Sequence, residues 1–388
     1  MATIDSAEKI FDRGPFPHFQ KSLGLFRPVG QNVANRAAIS VLIGWVPCLV
    51  LVVVESLRGS NPAFFFLDFG VHARSLFAAP LFIVCELACL HRLGMIATHF
   101  VRSGLVEDED RPRFNALVSS TRNLMNSTVA EVVALIAAYA IAFGVFRYEL
   151  LLGGRPWLFS RGVGPEFSRA GWWYSFITIP LLLILFFGWI WRIILWSRFL
   201  IRMSRVRLRL IAAHPDKASG LKFLNSAIVG FTPLAFTFGV VTAGSAANRV
   251  AYEGATSDAI QTTVAGLLVF VLLLFVGPLL VFVLKLHRAK VAGVFAYGEL
   301  VDAVGRQFEK KWLDNYDQFG SGALEAPDFS ATTDLYQIVA NVHEMKLLPF
   351  EIRVVISLLV ATLLPFVPVV LMTIPVKVIL QELARLLV

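Results

Sequence analysis

The feature that most constrains this chain is a set of long stretches without a charged residue. They run 18 residues from Ala37 to Val54, 22 from Ala170 to Trp191, 26 from Phe223 to Asn248, 26 from Ala259 to Leu284 and 23 from Val354 to Val376. A helix rises about 1.5 Å per residue and bilayer hydrocarbon is about 30 Å thick, so each stretch is long enough to cross it. Two more stretches complete the set: Ser75 to His91, interrupted only by Glu86, and Val132 to Phe146, which Ser127 to Glu131 extend. The prediction is an all-α, polytopic integral membrane protein with about seven transmembrane helices. Composition agrees: 57% of residues are hydrophobic and 16% charged, against roughly 45–50% and 25% in a soluble domain. Those proportions argue against a soluble enzyme, a disordered tail and a disulfide-stapled secreted domain.

Lys and Arg set the expected orientation, because cytoplasmic loops are enriched in them. With seven spans alternating, 26 of the 35 Lys and Arg fall on the side that holds the N-terminus and 9 on the other. The N-terminus is therefore expected inside and the C-terminus outside. The net charge of +8 follows from this sorting and from attraction to anionic lipid headgroups on the cytoplasmic side, so a nucleic-acid partner is not expected. The first apolar run follows 36 mostly polar residues and reads as an uncleaved anchor. The localisation expected is a cell or inner membrane, crossed several times.

The chain divides on this reading into four parts. Residues 1–36 form a cytoplasmic or interfacial segment. Residues 37–284 form a six-span membrane domain with cytoplasmic loops 93–126 and 197–222. Residues 285–352 form a helical cytoplasmic segment, and 353–388 a seventh span followed by an interfacial helix. Span 4 is expected to continue as a helix into the cytoplasm, carrying a basic face of Arg198, Arg202, Arg205 and Arg209 at helical spacing. Span 6 is expected to continue likewise to about Leu313, with Ser330 capping a further helix. Six spans carry proline, at Pro47, Pro80, Pro180, Pro233, Pro278 and the pair Pro365 and Pro368. Each removes a backbone hydrogen bond, and the residues serve either as hinges or as tolerated kinks. No repeat of 20–50 residues stands out.

Glu86 is the sharpest candidate for function. A carboxylate in mid-helix costs about 3 kcal/mol on insertion and marks a pathway, a proton site or a cation site by default; a protonated Glu in one interhelical hydrogen bond is the structural alternative. Arg192 and Glu131 are its possible partners. Cys85, Cys89 and His91 bring two thiols to one helix face, but His91 is turned away from them, so no metal is expected. No cofactor is implied. The acidic run Glu107 to Asp110 reads as a solvated loop or as a latch onto the arginines of span 4. Arg147, Arg155, Arg161 and Arg169 break the charge rule on the outer side, either attracting an anion or pairing within a structured loop. His214-Pro215-Asp216-Lys217 resembles the His-Pro-Asp loop of J-domain co-chaperones over four residues. Leu221 to Leu224 runs straight into span 5 where that family has a soluble helix, so the segment reads as a helix-stop turn.

No metalloprotease, nucleophile-elbow, phosphate-loop or dinucleotide signature is present. The leading functional reading is a channel or secondary transporter for a small ion or solute, with Glu86 on or near the pathway. The alternatives are a membrane scaffold or sensor whose cytoplasmic helices bind a protein partner, and an intramembrane enzyme. The partners expected are the lipid bilayer and a homo-oligomer or cytoplasmic protein.

Overall fold

The structure is a computed structural model that describes residues 10, 33–57, 59–152, 155–160, 166–314 and 327–373. The described chain is helical, with seven helices long and apolar enough to cross a membrane. These are α1 (Val33–Ser56), α2 (Phe69–Arg102), α4 (Thr128–Leu152), α5 (Arg169–Met203), α6 (Asn225–Glu253), α7 (Ser257–Phe275) and α10 (Ile352–Met372). Three amphipathic helices complete the set: α3 (Arg111–Met125), α8 (Val283–Trp312) and α9 (Pro327–His343).

Small residues decide which helix lies at the centre. A side chain on Gly239 of α6 would place Cβ 2.2 Å from the carbonyl oxygen of Thr362 in α10, and one on Gly244 would place it 2.3 Å from Cβ of Ala73 in α2. Only glycine permits backbones this close. Accordingly 61% of the membrane window of α6 is buried, against 11% for α4 at the periphery. Phe231, Leu234, Phe238 and Phe275 pack with Phe82 and Trp189 into the main apolar core.

Segments from different spans meet at each end of the bundle. At one end, called here the basic end, the 103–110 and 204–211 segments join through a bridge between Val106 and Leu208. Lys217 and Lys222 pair there with Glu344 and Glu351. At the opposite end, Asp68, Arg155 and Asn248 come together.

The prolines leave local marks on the helices they enter. Pro80 and Pro180 each stand two residues past the last residue of a π-helical turn, Ala73–Ala78 in α2 and Tyr174–Thr178 in α5. A proline ring clashes with the carbonyl four residues back, and an i→i+5 turn moves that carbonyl aside. Pro278 and Pro365 sit in 3-10 turns, Gly277–Phe282 and Leu364–Phe366. Pro233 alone among these lies within regular helix.

Three expectations about the extensions need correction. The helix of span 4 ends at Met203, so Arg198 and Arg202 lie on it while Arg205 and Arg209 lie in the following irregular segment. The spacing that aligned these arginines also sets like charges one turn apart, which disfavours the helix. The 206–209 backbone finds other partners: Arg209 N–H donates to the Leu105 carbonyl at 2.9 Å, and the Lys285 ammonium to that of Val206. Span 6 is not continuous with its extension, because Gly277 and Pro278 break it before α8 begins at Val283. α8 then ends at Trp312, close to the expected limit. α9 begins at Pro327, which places Ser330 inside the helix rather than at its cap. The expected C-terminal interfacial helix and most of residues 1–36 lie outside the described residues.

Candidate functional site

Two buried polar clusters hang on α2. The first contains Glu86, which is 2% exposed. Its carboxylate accepts from Arg36 of α1, Nη1 to Oε2 at 2.8 Å and Nη2 to Oε1 at 3.4 Å, and from Nη2 of Arg192 in α5 to Oε1 at 3.1 Å. Arg192 is 1% exposed, and its guanidinium also lies 4.8 Å from the ring centre of Trp189. The cluster therefore joins three spans around two guanidiniums and one carboxylate, a formal charge of +1 when all three are ionised. Glu86 and Arg192 are brought together as the sequence allowed. Arg36 was missed, because it stands at the edge of its apolar run and reads as an ordinary flanking charge. Glu131 lies in the first turn of α4, and the guanidiniums that hold Glu86 are those of Arg36 and Arg192.

α2 has 34 residues, more than the hydrocarbon needs, so a place near its middle does not by itself fix a depth in the membrane. Arg36 stands in the first turn of α1, about 5 Å along the axis from the helix start. The cluster thus lies toward the basic end. With both carboxylate oxygens engaged by guanidiniums, its chemistry is that of a charge lock between three helices.

The second cluster lies at the opposite end. Asp68 caps α2, accepting the Val71 N–H at 3.0 Å, and is 2% exposed. It also accepts from Nδ2 of Asn248 at 2.6 Å and Nε1 of Trp157 at 3.0 Å, with Nη1 of Arg155 at 3.6 Å. Burial pushes the Asp68 carboxyl upward, but Arg155 and these hydrogen bonds outweigh it and hold the group below its ordinary value. Arg155 reaches Glu149 as well, Nε to Oε1 at 3.4 Å. Arg155 thus pairs within a structured loop, the second of the two readings expected for it. Beside Asp68, Arg74 donates to the Tyr174 hydroxyl at 2.6 Å and to Ser245 Oγ at 3.0 Å. A cavity of about 580 Å³ opens here, lined by Arg74, Arg155 and Arg249 against Asp68, Glu149 and Glu253, with aromatic walls from Tyr148, Trp157 and Tyr252. About 27 Å of helix separates Asp68 from Glu86, nearly the thickness of the hydrocarbon.

Arg74 and Tyr174 occupy equivalent positions in their helices. Each gives its carbonyl to the i→i+5 hydrogen bond that closes a π turn, from the N–H of Ala79 and of Ile179. Each is followed by a buried serine, Ser75 or Ser175, and stands six residues before a proline. Residues 74–82 read Arg-Ser-Leu-Phe-Ala-Ala-Pro-Leu-Phe and residues 174–182 read Tyr-Ser-Phe-Ile-Thr-Ile-Pro-Leu-Leu. The match extends upstream: Asp68 caps α2 through the N–H of Val71, and Ser168 caps α5 through that of Gly171. The shared offset is 100 residues, with α1 preceding α2 as α4 precedes α5. This parallel correspondence of helix pairs is carried by a 100-residue period, longer than the 20–50 residues of common repeat architectures.

The remaining expected features resolve locally. Cys89 Sγ donates to the Gly230 carbonyl at 2.8 Å, and Cys85 Sγ lies 3.6 Å from Thr237 Oγ1, so both thiols pack against α6. The Glu107–Asp110 run directly precedes α3, with Asp108 and Asp110 paired to Arg111 and Arg113 three residues on. Comparison with known proteins finds no family, curated protein or solved structure that matches the chain.

Proposed function

We propose that the protein is a secondary transporter for a small polar solute, with the Asp68 cavity as its solute-binding vestibule. The basic end faces the cytoplasm on this reading, and the vestibule faces outward. The observation that carries the reading is the pair of π turns, whose residues Arg74 and Tyr174 meet at 2.6 Å, with Arg74 on the cavity wall. π turns are rare and concentrate at functional sites, and one that relaxes to α geometry changes the rotation of the helix beyond it. Two of them on corresponding helices supply matched moving parts, as the internal repeats of transporters do. Three guanidiniums and three carboxylates around aromatic walls suit a solute that carries both signs of charge, or a neutral polar one. The Glu86 cluster then ties α1, α2 and α5 together at the other face.

The test is independent of the solute. Spin labels on Leu57→Cys and Leu151→Cys, at 85% and 77% exposed positions closing α1 and α4, report the separation of the two helix pairs in liposomes. Two distance populations are expected in the wild-type background and one in a Pro80→Ala/Pro180→Ala background. A single distance in both refutes the mechanism. Flux of labelled zwitterions, cations and anions into the same liposomes then identifies the solute, with Tyr174→Phe as the impaired control. No flux of any tracer, with Tyr174→Phe indistinguishable from wild type, refutes the transport reading.

The scaffold reading draws on the exposed apolar residues of the α8–α9 hairpin, Phe295, Tyr336 and Ile338 among them. Loss of a captured partner on mutating Tyr336 and Ile338 to Ser, with no flux from wild type, would favour it.

A further inference from the structure

At the basic end a cavity of about 860 Å³ opens between the end of α2, the 204–222 segment and the start of α6. Four basic side chains stand on its wall: His99, Arg209, His214 and Lys222. The one carboxylate, Asp216, is committed to the loop itself. Its Oδ1 accepts from the N–H groups of Ala218 and Gly220 at 2.8 and 3.1 Å, its Oδ2 accepts from that of Lys222 at 3.1 Å, and His214 Nδ1 lies 2.8 Å from Oδ1. Burial pushes this carboxyl upward, and the three backbone donors with His214 carry it below its ordinary value. The same bonds hold Lys217 and Ser219 in the left-handed region, at φ 55° and 54°, a conformation that non-glycine residues keep only where the surroundings enforce it.

Arg209 is placed as firmly. Its N–H bond to Leu105 and the neighbouring Val106–Leu208 bridge fix its backbone on the cavity rim. Its guanidinium makes no ion pair among the described residues, whereas Lys222 reaches Glu351 at 2.5 Å. The facing wall is apolar. Phe223 packs at a tilt against the His99 ring with centroids 4.4 Å apart, and Val229 of α6, 39% exposed, continues this wall along a membrane-spanning helix.

We propose that this cavity binds a phosphate group, with Arg209 as the principal anion donor and Lys222, His99 and His214 around it. A planar guanidinium suits the bidentate geometry of phosphate. The apolar wall running from Phe223 to Val229 suits the acyl chains of a phospholipid, while the cavity's volume also admits a soluble phosphate. This site stands apart from the transport reading and shares no residue with the vestibule.

Three probes separate the sources: phosphatidic acid, inorganic phosphate, and diacylglycerol, which has the chains without the phosphate. Binding to the detergent-solubilised full chain is read by native mass spectrometry for the lipids and by calorimetry for phosphate. Arg209→Gln is expected to weaken phosphate-bearing probes by about tenfold or more, as loss of a charge-assisted hydrogen bond implies. Arg202→Gln, an equal charge change at an exposed position off the cavity, is expected to leave binding unchanged. Arg209→Lys, which restores the charge without the fork, is expected to recover part of the loss. Binding of phosphatidic acid alone assigns a headgroup site, and binding of both phosphate probes assigns a site open to the cytoplasm. Diacylglycerol binding as tightly as phosphatidic acid, no binding of either phosphate probe, or equal losses in Arg209→Gln and Arg202→Gln would each overturn the proposal.

Discussion

Replacing Glu86 by Gln is the most informative single perturbation of this molecule. The cluster holds two guanidiniums and one carboxylate, so removing the negative charge raises its net charge from +1 to +2. Arg192 is then left 1% exposed without the carboxylate that accepts its Nη2 at 3.1 Å, and Arg36 loses contacts at 2.8 and 3.4 Å. Removing one partner of a buried ion pair costs about 3–5 kcal/mol, roughly a hundred- to several-thousand-fold in the folding equilibrium. Removing an arginine instead lowers the net charge from +1 to 0 and leaves Glu86 paired. Arg36→Met and Arg192→Met should each cost about 1–3 kcal/mol, the value of a hydrogen bond to a charged group. Arg36, with a side chain 11% exposed, should be the cheaper of the two. The assay is reversible unfolding in mixed micelles, followed by fluorescence of the 8 tryptophans. The ordering, with Glu86→Gln far worse than either arginine variant, is what the charge count demands. A neutral Glu86→Gln, or an Arg192→Met as damaging as Glu86→Gln, would refute the account of the cluster as a lock.

Other predictions follow from the remaining sites. Tyr174→Phe removes the 2.6 Å acceptor of Arg74 and should reduce transport by about tenfold, while stability falls by about 1–2 kcal/mol; unchanged transport kinetics would contradict the vestibule. Pro80→Ala with Pro180→Ala should restore α geometry at both π turns and raise the unfolding midpoint, and a lowered midpoint would show that the turns are set by something other than the prolines. Asp216→Asn should destabilise the protein at neutral pH. Because the folded Asp216 carboxyl is held low, its contribution is present above the unfolded value of about 3.9 and is lost as pH falls through the folded one. The deficit of Asp216→Asn should therefore shrink only in acid, and a deficit that shrinks above about pH 5 would be inconsistent with that sign. For orientation, an impermeant maleimide should label Leu57→Cys on intact cells and Glu109→Cys only after permeabilisation; the reverse would invert the bundle. The native thiols are buried, which keeps the background low.

What was legible in the sequence follows from how each property is encoded. The spans are written as contiguous runs of one chemical type, and seven helices answer to the seven runs. Glu86 was legible because a charge inside such a run is conspicuous. Arg36 was not, because it stands at the edge of an apolar run, and Asp68 was not, because it lies in the linker between two runs, and charges are ordinary in both places. The end of α5 at Met203 is hidden from the sequence for a related reason. The arginine stripe from Arg198 to Arg209 has helical spacing, but the choice between helix and loop depended on Leu105 and Lys285, partners from elsewhere in the chain. The prolines were visible from the start, but their pairing was not. Pro80 and Pro180 gain meaning only with Arg74 and Tyr174 in contact across two helices.

The net charge of the Glu86 cluster has an electrical consequence. A unit charge moved through the full membrane potential is weighted by about 2.3 kcal/mol per 100 mV. Arg36, Glu86 and Arg192 are bound to one another across three spans, so any rearrangement that shifts these helices together carries the surplus charge with it. A displacement across one fifth of the hydrocarbon would then be biased by about 0.5 kcal/mol per 100 mV. A protein whose helices moved this way would have a modest voltage sense without a dedicated sensor helix. It would be readable as a transient capacitive current in a planar bilayer that vanishes when Arg36→Met brings the cluster to neutrality.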